Sequence, residues 1–187
     1  MDEKKLAAQI VMGDRHAFNE LVEMYQSKVI HISYSMLSDY EDACDAAQEV
    51  FIKIYRSIAS FRGDSSLSTW IYRITRNVCM DFIRKRKEAP VSIDEQKDDA
   101  PKIEIEDTSK SPEQIAEKNE TVRMVREAIN MLDEGQRVII TMFDIEGMSY
   151  EEISAALEIP TGTVKSRLNR ARQKLKKILS ENRELFL

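Results

Sequence analysis

Lys165, Arg167, Arg170, Arg172, Lys174, Lys176 and Lys177 lie within one stretch, IPTGTVKSRLNRARQKLKK (159–177), that contains no acid. Cations at this density suit a polyanion. Val164, Leu168, Ala171, Leu175 and Ile178 recur at steps of three and four, so a helix gathers them on one face. Lys165, Ser166, Arg167, Asn169, Arg170 and Gln173 fall off that stripe. A helix of this kind packs on a scaffold with one side and offers donors to DNA base edges with the other, while flanking cations neutralise phosphates. Its first turn, Thr161-Gly162-Thr163, adds backbone N–H groups that favour a phosphate. Each bidentate base contact discriminates by about 1–3 kcal/mol. A solvated basic helix closing a bundle would share this composition, and the preceding residues argue against it. In SYEEISAALEIP, Ser149 and Glu152 form a capping-box pattern, Ile153, Ala156 and Leu157 face inward, and Pro160 stops simple continuation. The segment reads as helix, tight turn, helix. Glu158 stands in the turn, where a left-handed backbone favours Gly or Asn and a Cβ costs about 1 kcal/mol.

A second polar strip lies upstream. Arg73, Arg76, Asn77, Met80, Arg84 and Lys87 share one helix side, with Ile71, Ile74, Val78 and Phe82 opposite. The loop before it, FRGDSSLS (61–68), mixes Phe61 and Arg62 with Asp64, Ser65, Ser66, Ser68 and the following Thr69. Short hydroxyls beside aromatics suit an unpaired base, stacked and hydrogen-bonded on its exposed edge. Trp70 serves either as a stacking platform or as core. Further upstream, Asp39, Glu41, Asp42, Asp45, Gln48 and Glu49 crowd the first half of another helix. Acids there complement the helix dipole, and with Phe51 and Ile52 nearby they also make a docking face for a basic protein partner.

These surfaces need scaffolds, and nearly every segment reads helical. Asp14 caps a helix carrying Phe18, Leu21, Val22, Tyr25, Val29, Ile32 and Met36. Ser38 with Glu41 predicts the start of the next, which carries Ala43, Ala47, Val50, Ile54 and Ile58; another follows from about Thr69 to Lys87. Residues 89–112 break the pattern, with seven acids against three lysines and three of the four prolines. They read as a linker that reaches up to ~80 Å when extended. Order returns at SPEQ (111–114), and Asp133 to Gln136 end one helix and begin the next. The expected fold is all-α: a helical bundle over 1–88, an acidic flexible linker over 89–112, and a helix-turn-helix domain over 113–187. The net charge of -5 is unevenly spread. Residues 1–88 carry thirteen bases and thirteen acids, 89–120 four and ten, and 121–187 eleven and ten.

Five glycines at scattered positions do not build a phosphate-cradling loop. Cys44 and Cys79, and His16 and His31, lack ligand spacing, so no metal, cofactor, catalytic residue or small-molecule substrate is expected. No apolar run of spanning length occurs and MDEKKLAAQIVMGD lacks a signal-peptide core, which predicts a soluble cytoplasmic protein without direct membrane insertion.

DYEDACDAAQEVFIKIYRSIASFRGDSSLSTWIYRITRNVCMDFIRKRK resembles region 2 of bacterial extracytoplasmic-function sigma factors, and YEEISAALEIPTGTVKSRLNRARQKLKK resembles their region 4. The likeness runs from about 10 to 180, with no region 1.1 or region 3, as is usual in that group. It implies that Asp42, Asp45, Gln48, Glu49, Phe51 and Ile52 dock on the β′ clamp of core RNA polymerase. Phe61, Arg62, Ser65, Ser66, Thr69 and Trp70 would hold a flipped base of the promoter -10 element, and Arg73, Arg76, Asn77 and Arg84 its neighbours as the strands part. Thr161, Gly162, Thr163, Lys165, Ser166, Arg167, Asn169, Arg170 and Gln173 would read the -35 element. The second domain would meet the β flap, and the acidic linker would thread polymerase near the RNA exit path. The resemblance further implies an anti-sigma partner. The residues alone leave room for an operator-binding regulator acting without polymerase, or for a helical adaptor that binds only protein.

Overall fold

The structure is a computed structural model that describes residues 3–88 and 112–181. Among these it is helical throughout, in the order α1 (Glu3–Val11), α2 (Arg15–Leu37), α3 (Tyr40–Ser57), a 3-10 turn (Ile58–Ser60), α4 (Leu67–Glu88), α5 (Pro112–Asn130), α6 (Glu134–Ile140), a π-type turn (Thr141–Ile145), α7 (Tyr150–Leu157) and α8 (Thr161–Glu181). The expected all-α fold is present. The linker reading at 89–111 lies outside the described residues; Pro112, assigned to the linker from sequence, opens α5.

Local chemistry sets the helix ends. The Asp14 carboxylate accepts from the N–H groups of His16 and Ala17 and starts α2. Asp133 accepts from Gln136 N–H and starts α6. The capping box of α7 forms in both directions between Ser149 and Glu152. One expected cap is misplaced. Ser38 does not start α3; it closes α2 in the left-handed region, at φ 58°, and its N–H reaches the Tyr34 carbonyl. Asp39 caps α3 instead, accepting from Asp42 N–H at 2.9 Å. Adjacent hydrophilic residues both fit a cap pattern, and only the backbone's sign of φ separates them.

The first bundle packs α1 to α4 around Leu21, Val29, Ile32, Val50, Ile54, Leu67, Ile71, Tyr72 and Val78, all buried. Its α1 carries Leu6, Ala7 and Ile10 into that core, a helix the sequence reading left unassigned. In the second unit, α8 lays Val164, Leu168 and Ala171 against α6 and α7. The two units are packed together. Val138, Met142, Met148, Ile153 and Ala156 of the second unit belong to the same buried apolar cluster as the first bundle. Polar anchors line this seam. Arg137 donates to the Ser35 carbonyl at 2.7 Å and the Ser38 hydroxyl at 2.6 Å. His31 Nδ1 and Glu146 Oε1 lie 2.7 Å apart. Asn130 donates to the Tyr34 hydroxyl at 3.2 Å.

Candidate nucleic-acid interface

The second helix of the helix-turn-helix is α8. Its entry turn is built by the residues before it. Ser154 donates its hydroxyl to the Ile159 carbonyl at 2.6 Å, and Ile159 N–H returns to the Ser154 carbonyl at 3.2 Å. Glu158 between them is left-handed, at φ 56° and ψ 43°. This holds α8 at a fixed angle to α7, with Lys165, Ser166, Arg167, Asn169, Arg170 and Gln173 all exposed on its outer side. Gly162 is exposed; Thr161 and Thr163 are half-buried.

Two cations on α8 are braced by an aromatic pair the sequence reading did not use. Phe143 and Tyr150 stack with ring centroids 4.8 Å apart. The Lys165 ammonium lies 5.3 Å from the Tyr150 ring, and the Arg172 guanidinium 5.1 Å from the Phe143 ring. Arg172 is also paired with Asp144, which holds its pKa above the usual arginine range. Arg172 therefore fixes the scaffold, while Arg167 and Arg170 remain exposed on the outer face.

The upstream strip lies on α4. Asn77, Met80, Arg84 and Lys87 are exposed, and Ile71 and Val78 are buried, as the spacing requires. Arg84 pairs with Asp81 at 2.9 Å. Arg73 and Arg76 are half-buried because α7 packs across them. Arg76 donates to Glu158 at 2.8 Å, and Arg73 reaches the Ala155 carbonyl at 3.4 Å.

The loop ahead of α4 divides into framework and surface. Ser66 lies 2.8 Å from the Thr69 hydroxyl and accepts from Thr69 N–H. Thr69 is buried, and its hydroxyl and N–H meet Ser66 at the helix start. Phe61 and Trp70 pack with centroids 5.6 Å apart, both half-buried against the core, which gives Trp70 a core role on one side and leaves its rim at the surface. Arg62 is exposed and Ser65 half-exposed. Helix α1 buttresses this loop. Glu3 accepts from Leu67 N–H at 2.7 Å, and Lys4, Val11 and Met12 face Phe61 and Arg62 across an open groove of about 300 Å³. The apolar spacing of Leu6, Ala7 and Ile10 was the available signal for α1.

On α3, Asp45, Gln48 and Ile52 are exposed, and Tyr55, one turn on, joins them at 53 % exposure. Tyr55 escaped the sequence reading although it lies three residues past Ile52. Phe51 is half-buried against the core, Asp42 pairs with Arg86, and Glu49 lies 3.2 Å from Lys53. The outward face is thus narrower than the six residues expected.

Sigma-70 region 2 matches residues 21–89, and sigma-70 region 4 matches residues 123–175. The chain is 37% identical over 180 residues to the RNA polymerase sigma-H factor of Pseudomonas aeruginosa, covering 95% of this chain and 93% of that one. It is 38% identical over 179 residues to the ECF RNA polymerase sigma-E factor of Escherichia coli K12, covering 92% of both. Among solved structures, the sigma factor RpoE of Bartonella quintana, in complex with the anti-sigma factor NepR, superposes with a TM-score of 0.67 at 26% identity, covering 87% of this chain and 96% of that one. CnrH, in complex with the cytosolic domain of CnrY, shares the fold with a TM-score of 0.68 at 24% identity over 96% and 98% of the two chains. Helix-turn-helix geometry, a second basic strip and kinship over more than nine-tenths of the chain agree: the chain belongs to the sigma-70 family, as an extracytoplasmic-function sigma factor.

Proposed function

We propose that this sigma factor divides its work at the boundaries 1–88, 89–112 and 113–187. The first unit docks on core RNA polymerase through Asp45, Gln48 and Ile52 with Tyr55, and holds the -10 element through Phe61, Arg62, Arg73, Arg76, Asn77 and Arg84. The last unit reads the -35 element through Lys165, Ser166, Arg167, Asn169, Arg170 and Gln173. The observation that carries the -35 assignment is the outward face of α8 behind a fixed turn, acid-free from Thr161 to Ser180. It is the geometry by which a helix lies in a major groove. The -10 assignment rests on the polar side of α4 beside a loop rich in hydroxyls.

The chain itself makes or breaks no bond in this reading; it selects the start site and lends binding energy to strand separation. Unstacking a base costs a few kcal/mol, which the loop and polymerase contacts offset. The chain works in the cytoplasm, a placement compatible with the finding that no helix among the described residues is long and apolar enough to cross a membrane. An anti-sigma protein is the expected inhibitor, by analogy with the complex of the Bartonella relative.

Run-off transcription with purified core polymerase on a promoter library tests the reading. The expected result is selective initiation that requires both chain and core. Tight, symmetric operator binding by the chain alone, with no effect on initiation, would favour the operator-binding regulator and overturn this one.

A further inference from the structure

Seven residues separate Lys165 from Arg172, so both lie on one edge of α8, about two turns apart. Ser166, Asn169 and Gln173 share a neighbouring line at the outward side. The edge with the two cations runs along the Phe143–Tyr150 stack, and the two charges are held differently there. Arg172 lies over Phe143 and is paired with Asp144, so its charge is engaged within its own unit. Lys165 forms no ion pair among the described residues; its exposed side chain carries the ammonium 5.3 Å from the Tyr150 ring centre.

The Tyr150 ring is a firm seat. Tyr150 opens α7 directly after its cap, where the Ser149 N–H donates to the Glu152 carboxylate at 2.9 Å and the Glu152 N–H to the Ser149 hydroxyl at 3.2 Å. Phe143, behind it, lies in the π-type turn. There the Glu146 N–H reaches back to the Thr141 carbonyl at 2.9 Å and the Met148 N–H to the Met142 carbonyl at 3.0 Å. Such turns are frequent at functional positions. Both rings are half-buried and rest on the apolar clusters beneath them. A flexible lysine stem loses rotamer freedom when it is fixed on DNA, and a group ordered beforehand avoids that cost.

We propose that Tyr150 is a positioning residue for promoter binding: its ring face holds the Lys165 ammonium at the flank of the reading face before DNA arrives, and from there Lys165 contacts the duplex. The proposal rests on the reading that Lys165 meets the -35 element. A cation over a partly exposed ring sets the expected effect at about 2- to 5-fold in affinity. The sign is definite, because a ring that parked Lys165 away from DNA would weaken binding, and its removal would tighten the complex.

The test uses holoenzyme assembled from the full chain and core polymerase, with a fluorescein-labelled duplex of the promoter selected by run-off transcription, read by anisotropy over a salt series. Y150L keeps bulk and loses the ring face. It is expected to bind about 2- to 5-fold more weakly with the log–log salt slope unchanged, because the Lys165 charge is still present. K165A lowers the slope by about one unit, and Y150L made in K165A is expected to lose nothing further. Y150F keeps the ring and is the conservative rescue, restoring most of the affinity. Tighter binding by Y150L, a loss that persists in K165A, or a Y150F loss equal to that of Y150L overturns the proposal; the last places the contact in the hydroxyl. Should Y150L fail to fold, F143L repeats the test by removing the ring behind Tyr150. A loss confined to chains with Lys165 then supports the proposal, and no loss, or one that persists in K165A, overturns it. K165A also separates the two failures. If it weakens binding while Y150L does not, the positioning role alone falls. If it leaves affinity and slope unchanged, Lys165 does not meet DNA, and the underlying reading falls with the proposal.

Discussion

Arg137 offers the sharpest test of how the two units hold together. It is 8% exposed and lies at the seam, with no carboxylate in hydrogen-bond contact among the described residues. Its guanidinium instead donates to the Ser35 carbonyl at 2.7 Å, the Ser38 hydroxyl at 2.6 Å, the Asn130 carbonyl at 3.1 Å and the Leu132 carbonyl at 3.4 Å. The first two belong to the end of α2, where carbonyls lack helical partners and the dipole favours a cation. Burial opposes the charge and pushes its pKa down. Hydrogen bonds to a charged donor contribute roughly 1.5–3 kcal/mol each, and that desolvation offsets part of the two short ones. R137A is therefore expected to destabilise the chain by about 2–4 kcal/mol. With a urea slope of about 2 kcal/mol/M, the midpoint moves down by about 1–2 M. The assay is urea unfolding followed by circular dichroism and by fluorescence of Trp70, the single tryptophan, which reports the first unit. In the parent the two signals coincide; in R137A the dichroism midpoint falls ahead of the fluorescence midpoint, because the second unit loses its anchor. R137K keeps the charge but not the fork, and lies between. A shift in R137A below about 0.5 kcal/mol, or R137K matching the parent, refutes the anchoring role.

Four further outcomes follow from single sites. K165A and R170A, made in the chain bound to core polymerase, each flatten the salt dependence of promoter binding by about one unit of log–log slope with little change in melting temperature; unchanged slopes would remove these residues from the DNA face. Hydrogen bonds from the Ser149 N–H and hydroxyl hold the Glu152 carboxyl below its usual range. Its stabilisation is therefore complete above the unfolded value of 4.5 and lost as pH falls through the lower folded one, so E152Q shows a shallower fall in melting temperature between pH 6 and pH 3.5. Burial raises the Cys79 thiol to about 11, so a thiol reagent at pH 8 modifies Cys44 first and reaches Cys79 only on unfolding. Gly63 has φ 75°, and G63A, whose added methyl meets the Lys4 side chain, costs at least about 1 kcal/mol, read in a thermal melt.

Helix identity was legible wherever one face is apolar and the other polar. Residues of α8 and α4 declare their burial by spacing alone, and the outward set on α8 matches the expected one. What spacing hides is how long side chains are employed. Asp42 and Arg172 read as surface charges, yet each is held by a partner on another element that no period encodes; Glu49 meets Lys53 one turn along its own helix. Thr69 reads as an exposed loop hydroxyl but is buried, 2.8 Å from the Ser66 hydroxyl at the helix start. Arg137 carried no signal: it is one cation in a short helix, and its value depends on the end of α2, a hundred residues earlier. The relative placement of the two units was equally silent, since Met142, Met148 and Ile153 look like ordinary core positions of their own domain.

The compact arrangement and the two-element grip exclude one another. Promoter elements more than one turn of DNA apart require surfaces separated by more than ~34 Å along the duplex. Here the turn leading into α8 is bonded directly to α4 through Glu158 and Arg76. Opening must break the polar anchors and part Met142, Met148 and Ile153 from the first core, exposing apolar surface to water. That surface needs a new cover, and core polymerase, with docking sites for both units, is the partner that supplies it in the sigma mechanism. The balance therefore lies between one chain folded on itself and the same chain spread over polymerase and DNA.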